Sequence, residues 1–238
     1  MEGVSVVTTV ADTRVRRVPG MRADALRNRD RIVTAAREIF VEFGPEAPLD
    51  EIARRAGIGN ATLYRHFADR RALIHDVLIS VIVRTTEHAE SAAAQEADPF
   101  SALRRFAHAA VDERIGVLCG MFVGGVDKHA PDVVAARQRL EDTVEDLMEG
   151  ARRAGQLRAD VTLGDLVVAL AHLARPLPGI ECVDADAAGH RHLQMFLDGL
   201  RTASEIDCAP LHPSELPGPP VAVEDLHRRR SDQSCTYP

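Results

Sequence analysis

The stretch from residue 49 to residue 73, LDEIARRAGIGNATLYRHFADRRAL, constrains the fold of this chain more than any other. Its apolar residues recur at three- and four-residue steps, which predicts one short helix over residues 49–56 and a second over residues 60–67. Gly57 lies between them and can adopt the positive φ that a sharp turn requires. Asp69 is a good N-cap for a further helix. Two helices around such a turn form a helix-turn-helix, which places a helix in the major groove of DNA.

A longer amphipathic helix is predicted before this stretch, over residues 24–43. Its apolar face comprises Ile32, Ala35, Ala36, Ile39, Phe40 and Phe43. Gly44 can take the left-handed position after the helix, and Pro45 prevents its continuation. The second short helix is too short to be stable alone, so we expect packing to hold it, with Leu63 and Phe67 facing inward.

The charge of the chain is distributed unevenly. The whole sequence has a formal net charge of −7. Residues 14–71, however, contain 13 Arg against 8 Asp and Glu, which gives this part a net charge of +5 and leaves −12 for the remainder. A basic N-terminal part on an acidic body is the asymmetry expected of a DNA-binding head, although helix surfaces can also be charged without binding DNA.

The segment IARRAGIGNATLYRHFADRRAL, with IVTAAREIFVEFG before it, resembles the TetR (tetracycline repressor) family of bacterial transcription regulators. The resemblance covers about residues 24–75, which are the three helices of the head and the start of a fourth. The family motif is matched at Ile52, Ala53, Ala56, Gly57, Thr62, Leu63, Tyr64, His66, Phe67 and Leu73.

The sequence departs from the family pattern at four places. Ala47 and Pro48 stand where a capping threonine is usual, and Gly59 stands where serine caps the third helix. Ala61 replaces a glycine, and Arg70 replaces a lysine. A glycine N-cap costs only a few tenths of a kcal/mol relative to serine, and Arg70 keeps the positive charge. The expected DNA-reading helix is therefore retained.

Eight residues are candidate DNA contacts. Asn60 and Arg65 are candidates for base contacts by their position on the second short helix, because Asn can bind adenine and Arg can bind guanine in bidentate fashion. The resemblance implies phosphate-positioning contacts from Thr62, Tyr64, His66 and Arg70, and Arg54 and Arg55 are expected beside the groove. For Tyr64 and His66 the alternative is a role in the core of the head, with the polar tip bonded locally.

The rest of the chain has a helical pattern and no segment with the period-two alternation of a strand. After a long helix that ends near residue 95, helices are predicted at about residues 100–118, 120–127, 132–153, 163–174 and 187–203. The fold class is therefore all-α. An N-terminal three-helix DNA-binding head (23–69) is joined by the long helix to a C-terminal helical body (70–204).

Both ends of the chain are expected to lack a fixed structure. Residues 1–22 have no helical period and carry Arg14, Arg16 and Arg17, which could follow DNA phosphates as a flexible basic arm. An untethered terminus is the alternative for this arm. Residues 205–238 are Pro-rich and polar, which predicts a disordered tail.

The resemblance implies that the body forms a homodimer through its last two helices. The residues expected at this interface are Leu166, Val167, Leu170, Leu173, Leu193, Phe196, Leu197 and Leu200. The same residues can instead fill the core of each monomer. Both roles are compatible if they use different faces of the helices.

The resemblance also implies that the body binds a small molecule. The run IGVLCGMFVGG is apolar and Gly-rich, and it is a candidate wall of a cavity. The candidate lining residues are Phe100, Phe106, His108, Cys119, Met121, Phe122 and His172, and ordinary helix packing is the alternative for each. The expected function is a repressor that an effector of unknown class releases from a palindromic double-stranded DNA operator.

Other functions have little support in the sequence. No apolar run reaches the roughly 18 residues of a membrane span, and the N-terminus lacks the apolar region of a signal peptide. The four cysteines, Cys119, Cys182, Cys208 and Cys235, form no CxxC pair, which favours reduced thiols in the cytoplasm. The sequence contains no P-loop, GxGxxG or GxSxG motif, so neither a cofactor nor an enzymatic activity is predicted.

Two alternatives are left open. His190 and His192 are two residues apart and do not share a helix face as metal ligands would, so no metal site is predicted there. A metal- or redox-responsive regulator could still act through Cys119. The chain could also be a helical ligand-binding protein or enzyme with an incidental helix-turn-helix-like segment.

Overall fold

The computed structural model describes residues 19–114, 127–174 and 185–202 of the chain. Over these residues the chain forms eight helices and no strand, which confirms the predicted all-α class. The helices are α1 (Pro19–Phe43), α2 (Leu49–Ala56), α3 (Asn60–His66), α4 (Arg70–Gln95), α5 (Pro99–Asp112), α6 (Pro131–Arg153), α7 (Leu163–Leu173) and α8 (Ala185–Gly199). The arm before residue 19, the helix expected near residues 120–127 and the tail lie outside the described residues.

The helices of the head have the predicted order, with one shifted boundary. α1 begins at Pro19 rather than at Asp24, because the fixed φ of proline and its missing N–H suit the first turn of a helix. Residues 19–22, which we assigned to the arm, are therefore helical. α1 ends before Gly44, whose φ of 81° turns the chain out of the helix. Asp69 caps α4 as predicted, since its carboxylate accepts a hydrogen bond from the backbone N–H of Ala72 at 2.8 Å.

Two helices of the body end earlier than the sequence indicated. α5 ends at Asp112, and Arg114 follows with a φ of 57°, which no helix can continue. α8 ends at Gly199 because the following residues pair with the chain before α7. The backbone N–H of Arg158 donates to the carbonyl of Leu200 at 3.0 Å, and that of Thr202 donates to the carbonyl of Gln156 at 3.1 Å. No helix of the described residues is both long enough and apolar enough to cross a membrane.

The buried side chains form two clusters. The head cluster contains the inward faces of α1, α2, α3 and the N-terminal half of α4, and Phe40 and Phe67 are fully buried in it. The body cluster contains α5, α6, α7, α8 and the C-terminal part of α4, around the buried Leu103 and Met148. Leu140 of α6 packs against both clusters, so the head and body share one continuous apolar boundary.

Further contacts hold α6 against the head. Val133, in the first turn of α6, is fully buried in the head cluster. Beside it, the Nε2 atom of His75 on α4 lies 3.2 Å from the carboxylate of Asp132. The N-terminal end of α6 is therefore packed as part of the head rather than of the body.

A buried carboxylate lies where α1, α4 and α5 meet. Glu113 follows α5 and is 8% exposed. It accepts hydrogen bonds from Arg37 Nη1 on α1 at 2.5 Å and from Arg84 Nη2 on α4 at 2.7 Å, and His88 Nε2 lies 3.1 Å away. Burial by itself raises the pKa of the Glu113 carboxyl, but the hydrogen bonds from Arg84 and His88 and the nearby positive charges outweigh it, so the pKa is lowered.

We expect Glu113→Gln to lower the free energy of unfolding by about 1–3 kcal/mol near neutral pH, because two guanidinium donors lose their buried, charged acceptor. The pKa of this carboxyl is depressed in the folded protein. Its stabilisation is therefore complete above the pKa of the unfolded chain, about 4.3, and is lost as the pH falls through the lower folded-state value. Urea unfolding of both proteins at several pH values measures this. A difference in stability that does not shrink in acid would contradict the assignment.

Candidate nucleic-acid interface

The frame of the helix-turn-helix is apolar and almost fully buried. Ile52 and Ala56 of α2, Leu63 of α3 and the following Phe67 are at most 4% exposed and pack into the head cluster. Gly57 ends α2 in the left-handed conformation, with a φ of 65°. Its position turns the chain so that α3 can pack with one face inward. The opposite face of α3 is thereby presented to solvent.

Two arginines of α1 stabilise the C-terminal ends of the short helices. Arg31 Nη2 donates to the carbonyl of Ala56 at 2.6 Å, at the end of α2. Arg29 Nη1 donates to the carbonyl of His66 at 3.2 Å, at the end of α3. The guanidinium of Arg29 also lies 4.5 Å from the ring centroid of Phe67. Because helix C-termini carry partial negative charge, both contacts are electrostatically favourable.

Arg29 also connects α1 to α4, since its Nη2 atom lies 2.5 Å from the Asp76 carboxylate. Sequence analysis counted Arg29 and Arg31 in the basic excess of the head. The structure shows that both residues bond to other parts of the head, although Arg31 is exposed and Arg29 is half-buried. Neither residue was a candidate site residue, and their regular placement on α1 was the only sequence signal for them.

The outer face of α3 carries the residues predicted to contact DNA. Asn60, Tyr64 and Arg65 are exposed, and Tyr64 is 54% exposed. Thr62 and His66 are half-buried on the flanks of the same helix. The Tyr64 ring is therefore not packed in the core of the head, which disfavours the alternative role for this residue.

Two of these side chains make local hydrogen bonds within the head. Asn60 Nδ2 donates to Asp50 Oδ1 at 2.7 Å, which leaves the amide oxygen of Asn60 available as an acceptor. Arg65 Nε donates to the carbonyl of Ala61 at 3.2 Å, one turn earlier in α3. This contact uses only one donor of the guanidinium, so its remaining N–H groups can face a base edge.

Arg54 and Arg55 of α2 are paired with carboxylates. Arg54 forms an ion pair with Glu51 on the same helix, and Arg55 pairs with Glu38 at 3.2 Å and with Glu42 at 3.1 Å on α1. The hydrogen bond to Glu51 raises the pKa of Arg54, and the one to Glu42 raises the pKa of Arg55. Surface pairs of this kind are weak, so a phosphate could compete for either arginine.

Arg70 has a structural role that the sequence did not reveal. Its Nη1 atom donates to the carbonyl of Pro45 at 2.8 Å and to that of Ala47 at 2.6 Å. These contacts hold the loop between α1 and α2 against the start of α4. The phosphate contact that the family resemblance implies for Arg70 stays a prediction, and it would have to form in addition to these bonds or at their expense.

Arg71 was not among the eight candidate DNA contacts, although the sequence places it beside Arg70 after the Asp69 cap. It is exposed in the first turn of α4, and within the described parts of the chain its side chain makes no hydrogen bond or ion pair. A cation is unfavourable at the positive end of a helix unless an anion lies nearby. That mismatch after the Asp69 cap was the signal in the sequence.

The candidate pocket residues do not form one group in the described structure. Phe100 and Phe106 are buried in the body cluster. The guanidinium carbon of Arg201 also lies 4.7 Å from the ring centroid of Phe100. His108 is half-buried, with Nδ1 2.8 Å from Nδ1 of His190, whereas His172 is exposed. Cys119, Met121 and Phe122 lie outside the described residues.

The candidate dimer residues divide by burial. Five of them fill the monomer's own body cluster: Leu166, Leu170, Leu193, Leu197 and Leu200. Val167, Leu173 and Phe196 pack against that cluster but are only partly buried. Met195, next to Phe196 on α8, is 52% exposed and was not among the candidates. The apolar surface that a partner could cover is therefore smaller than the sequence suggested.

Comparisons with known proteins match both parts of the chain. Residues 32–77 match the profile of bacterial regulatory proteins of the tetR family, and residues 98–202 match that of the SbtR-like transcriptional regulator C-terminal domain. The crystal structure of the TetR transcriptional regulator SCO0520 from Streptomyces coelicolor is 32% identical, with a TM-score of 0.57, over 74% of this chain and 99% of that chain. This chain belongs to the TetR family of bacterial transcriptional regulators.

Other relatives agree with this membership. A TetR transcription regulatory protein from Mycobacterium vanbaalenii is 34% identical, with a TM-score of 0.57, over 76% of this chain and 99% of that chain. The head is also 44% identical over 59 residues to the HTH-type transcriptional regulator TtgW of Pseudomonas putida, an alignment that covers 24% of this chain and 44% of TtgW. The chain thus spans less than half the length of this relative. These relatives are transcriptional regulators rather than enzymes.

We expect Gly57→Ala to destabilise the head of this TetR-family regulator by roughly 1–2 kcal/mol, the usual penalty for a side chain in the left-handed region. A Cβ atom there would also lie 2.9 Å from Arg31 Nη2 and would disturb its bond to α2. Gly59→Ser is the matched control, because nothing lies within 4 Å of a Cβ at Gly59 and serine is a good N-cap. Thermal unfolding measures the stability of both variants. An equal loss of stability in both would contradict the requirement for a left-handed residue at position 57.

Proposed function

We propose that this chain is a homodimeric repressor that binds a palindromic operator and is released from it by a small-molecule effector. The observation that supports this most is the outer face of α3, which presents Asn60, Tyr64 and Arg65 on a buried apolar frame. A recognition helix needs such a frame, because its outer residues must be held in register with the base edges.

Within this interface, Asn60 and Arg65 are proposed to contact bases. The free amide oxygen of Asn60 can accept a hydrogen bond from a base amino group, and the guanidinium of Arg65 can donate to guanine. Thr62, Tyr64 and His66 are proposed to position the phosphates on either side. Arg71 is added to this set because it is exposed and unpaired among the described residues, and Arg54, Arg55 and Arg70 would contribute by exchanging their present partners for phosphates.

Two substitutions separate base contacts from phosphate contacts. Arg65→Ala is expected to weaken binding to the preferred operator by about 1–3 kcal/mol and to relax the preference at one base pair. Arg71→Ala is expected to weaken binding to all sequences alike and to reduce the dependence of log K on log salt by about one unit. Titrations of operator variants at several salt concentrations measure both effects.

Arg105→Ala is a suitable control for these titrations, since Arg105 pairs with Glu96 in the body. It removes the same charge far from α3 and should leave the sequence preference and the salt slope as they are in the wild type. If Arg65→Ala and Arg71→Ala lowered the affinity for every DNA sequence by the same factor, the distinction between base and phosphate contacts would be wrong.

Dimerisation is proposed because a single helix-turn-helix reads only a few base pairs, so that such proteins act on two half-sites. The partly buried Val167, Leu173 and Phe196 and the exposed Met195 lie on α7 and α8, outside or at the edge of the body cluster. A partner subunit packed on these two helices would cover them. The contacts within the monomer and those with the partner would then use different faces of the same helices.

A charge at the exposed face of α8 tests this interface. Met195→Glu is expected to convert a dimer into a monomer at micromolar concentration, because a carboxylate would be buried without a partner. Val83→Glu is the matched control, since Val83 is 43% exposed on α4 and not on α7 or α8. Light scattering gives the mass of each protein. A monomeric wild type would contradict the dimer, and an unaffected Met195→Glu dimer would contradict this face.

Release by an effector requires that the small molecule bind the DNA-incompetent arrangement more tightly than the competent one. The body offers a hydrophobic interior between α5, α6, α7 and α8 in which an apolar ligand could insert. Thermal-shift screening, followed by DNA release as the readout, is the experiment that would identify it.

A further inference from the structure

We propose that Glu113 is a positioning residue that fixes the DNA-binding head to the body through Arg37. It would thereby set the half-site spacing that the dimer accepts. This inference rests on the proposed function for its DNA readout, but its structural part concerns the orientation of head and body within one subunit.

The Glu113 carboxylate joins three elements with different positions in the molecule. Arg37 belongs to α1 in the head, Arg84 and His88 belong to α4, and Glu113 itself follows α5 of the body. Arg84 donates from both Nε, at 3.1 Å, and Nη2, at 2.7 Å. A buried acceptor with charge-assisted bonds from two guanidinium groups defines the relative placement of the helices that carry them.

On the head side, Arg37 is rigidly connected to the recognition helix. It lies on α1 between Ala36 and Ile39, which are fully buried in the head cluster. The same helix carries Arg31 and Arg29, whose hydrogen bonds end on α2 and α3 respectively. A shift of α1 relative to Glu113 is therefore a shift of the whole head, including the outer face of α3.

On the body side, Glu113 directly follows α5, so its carboxylate moves together with this helix. This helix packs against α4, α6, α7 and α8, which are the other helices of the body among the described residues. The backbone N–H of Glu113 donates to the carbonyl of Ala109 at 3.0 Å, which holds the carboxylate at the end of the helix. Arg114 has a φ of 57°, a left-handed conformation that is unfavourable for a non-glycine residue. Such strained positions are frequent at functional sites.

The arrangement allows the head contact to be removed without leaving the carboxylate unpaired. In Arg37→Gln, Glu113 keeps its bonds from Arg84 and its contact with His88, so the core of the cluster is retained. Glu113→Gln, in contrast, would leave two guanidinium groups without a charged acceptor. Arg37→Gln is therefore the variant that loosens the head with the least damage to the fold.

The first experiment measures half-site spacing with the full-length protein. Palindromic sites selected by the wild type are rebuilt with zero to several base pairs added or removed at the centre, and the affinity for each spacing is titrated. The wild type should prefer one spacing, and Arg37→Gln should reduce the ratio between the best and the next spacing by about tenfold or more, with the base preference within each half-site unchanged. A ratio equal to that of the wild type would overturn the inference.

Arg27→Gln is the matched control, because it makes the same change on the same helix at a residue whose ion pair among the described residues is local, with Asp24. It should leave the spacing ratio unchanged even if it weakens all complexes slightly. A purely structural role of Arg37 would lower the affinity for every spacing by one common factor, and that result also counts against the inference.

The second experiment needs no DNA, so it tests the inference even if the proposed function fails. Spin labels on genetically encoded keto amino acids replace the exposed Phe43 of α1 and the exposed Arg153 of α6. Pulsed electron resonance is recorded on labelled chain diluted into excess unlabelled chain, so that distances within one subunit dominate. It should give one narrow distance distribution for the otherwise wild-type chain and a broader or shifted one with Arg37→Gln. An unchanged distribution would overturn the inference, whereas failure of the wild type to select any DNA would overturn the proposed function alone.

Discussion

The DNA-binding surface depends on how the seven-residue helix α3 is held. So short a helix has too few internal hydrogen bonds to persist alone. Leu63 and the adjoining Phe67 are buried on its inner side, and Arg29 of α1 satisfies a carbonyl at its C-terminal end. The positions of the polar residues on the outer face are therefore set by the packing of α3 against the rest of the head. The left-handed Gly57 sets the angle at which α3 meets this support.

The arginine side chains of the head form two groups, those that bond to the protein backbone elsewhere in the head and those that extend into solvent. Arg29, Arg31 and Arg70 donate to backbone carbonyls at helix ends or loops, where they replace water that folding removes. Arg65 and Arg71 face solvent, the former with one local bond and the latter with none among the described residues. The net charge of a segment therefore does not show how many of its arginines bond within the protein. Burial and partners decide which arginines belong to the surface.

The head and body are not independent units joined by a simple linker. α4 passes through both buried clusters, and Val133 of α6 inserts into the core of the head. Glu113 adds a charged contact between α5, α4 and α1 at the same boundary. Apolar contacts tolerate small sliding motions, whereas a buried ion pair has a narrow range of favourable geometry. The boundary thus combines an adaptable packing surface with one specific charged contact.

The sequence by itself determined the class of fold, the positions of the helix-turn-helix and the Asp69 cap, because these follow from local periodicity, turn chemistry and capping. It also placed Asn60, Tyr64 and Arg65 on the outer face of α3, since a helix with Leu63 and Phe67 inside leaves them outside. Only the tertiary structure decided which arginines are internal, that Glu113 meets Arg37, and how the apolar residues of α7 and α8 divide between core and surface. Those facts join residues far apart in the chain, such as positions 37 and 113, and no local pattern carries that information.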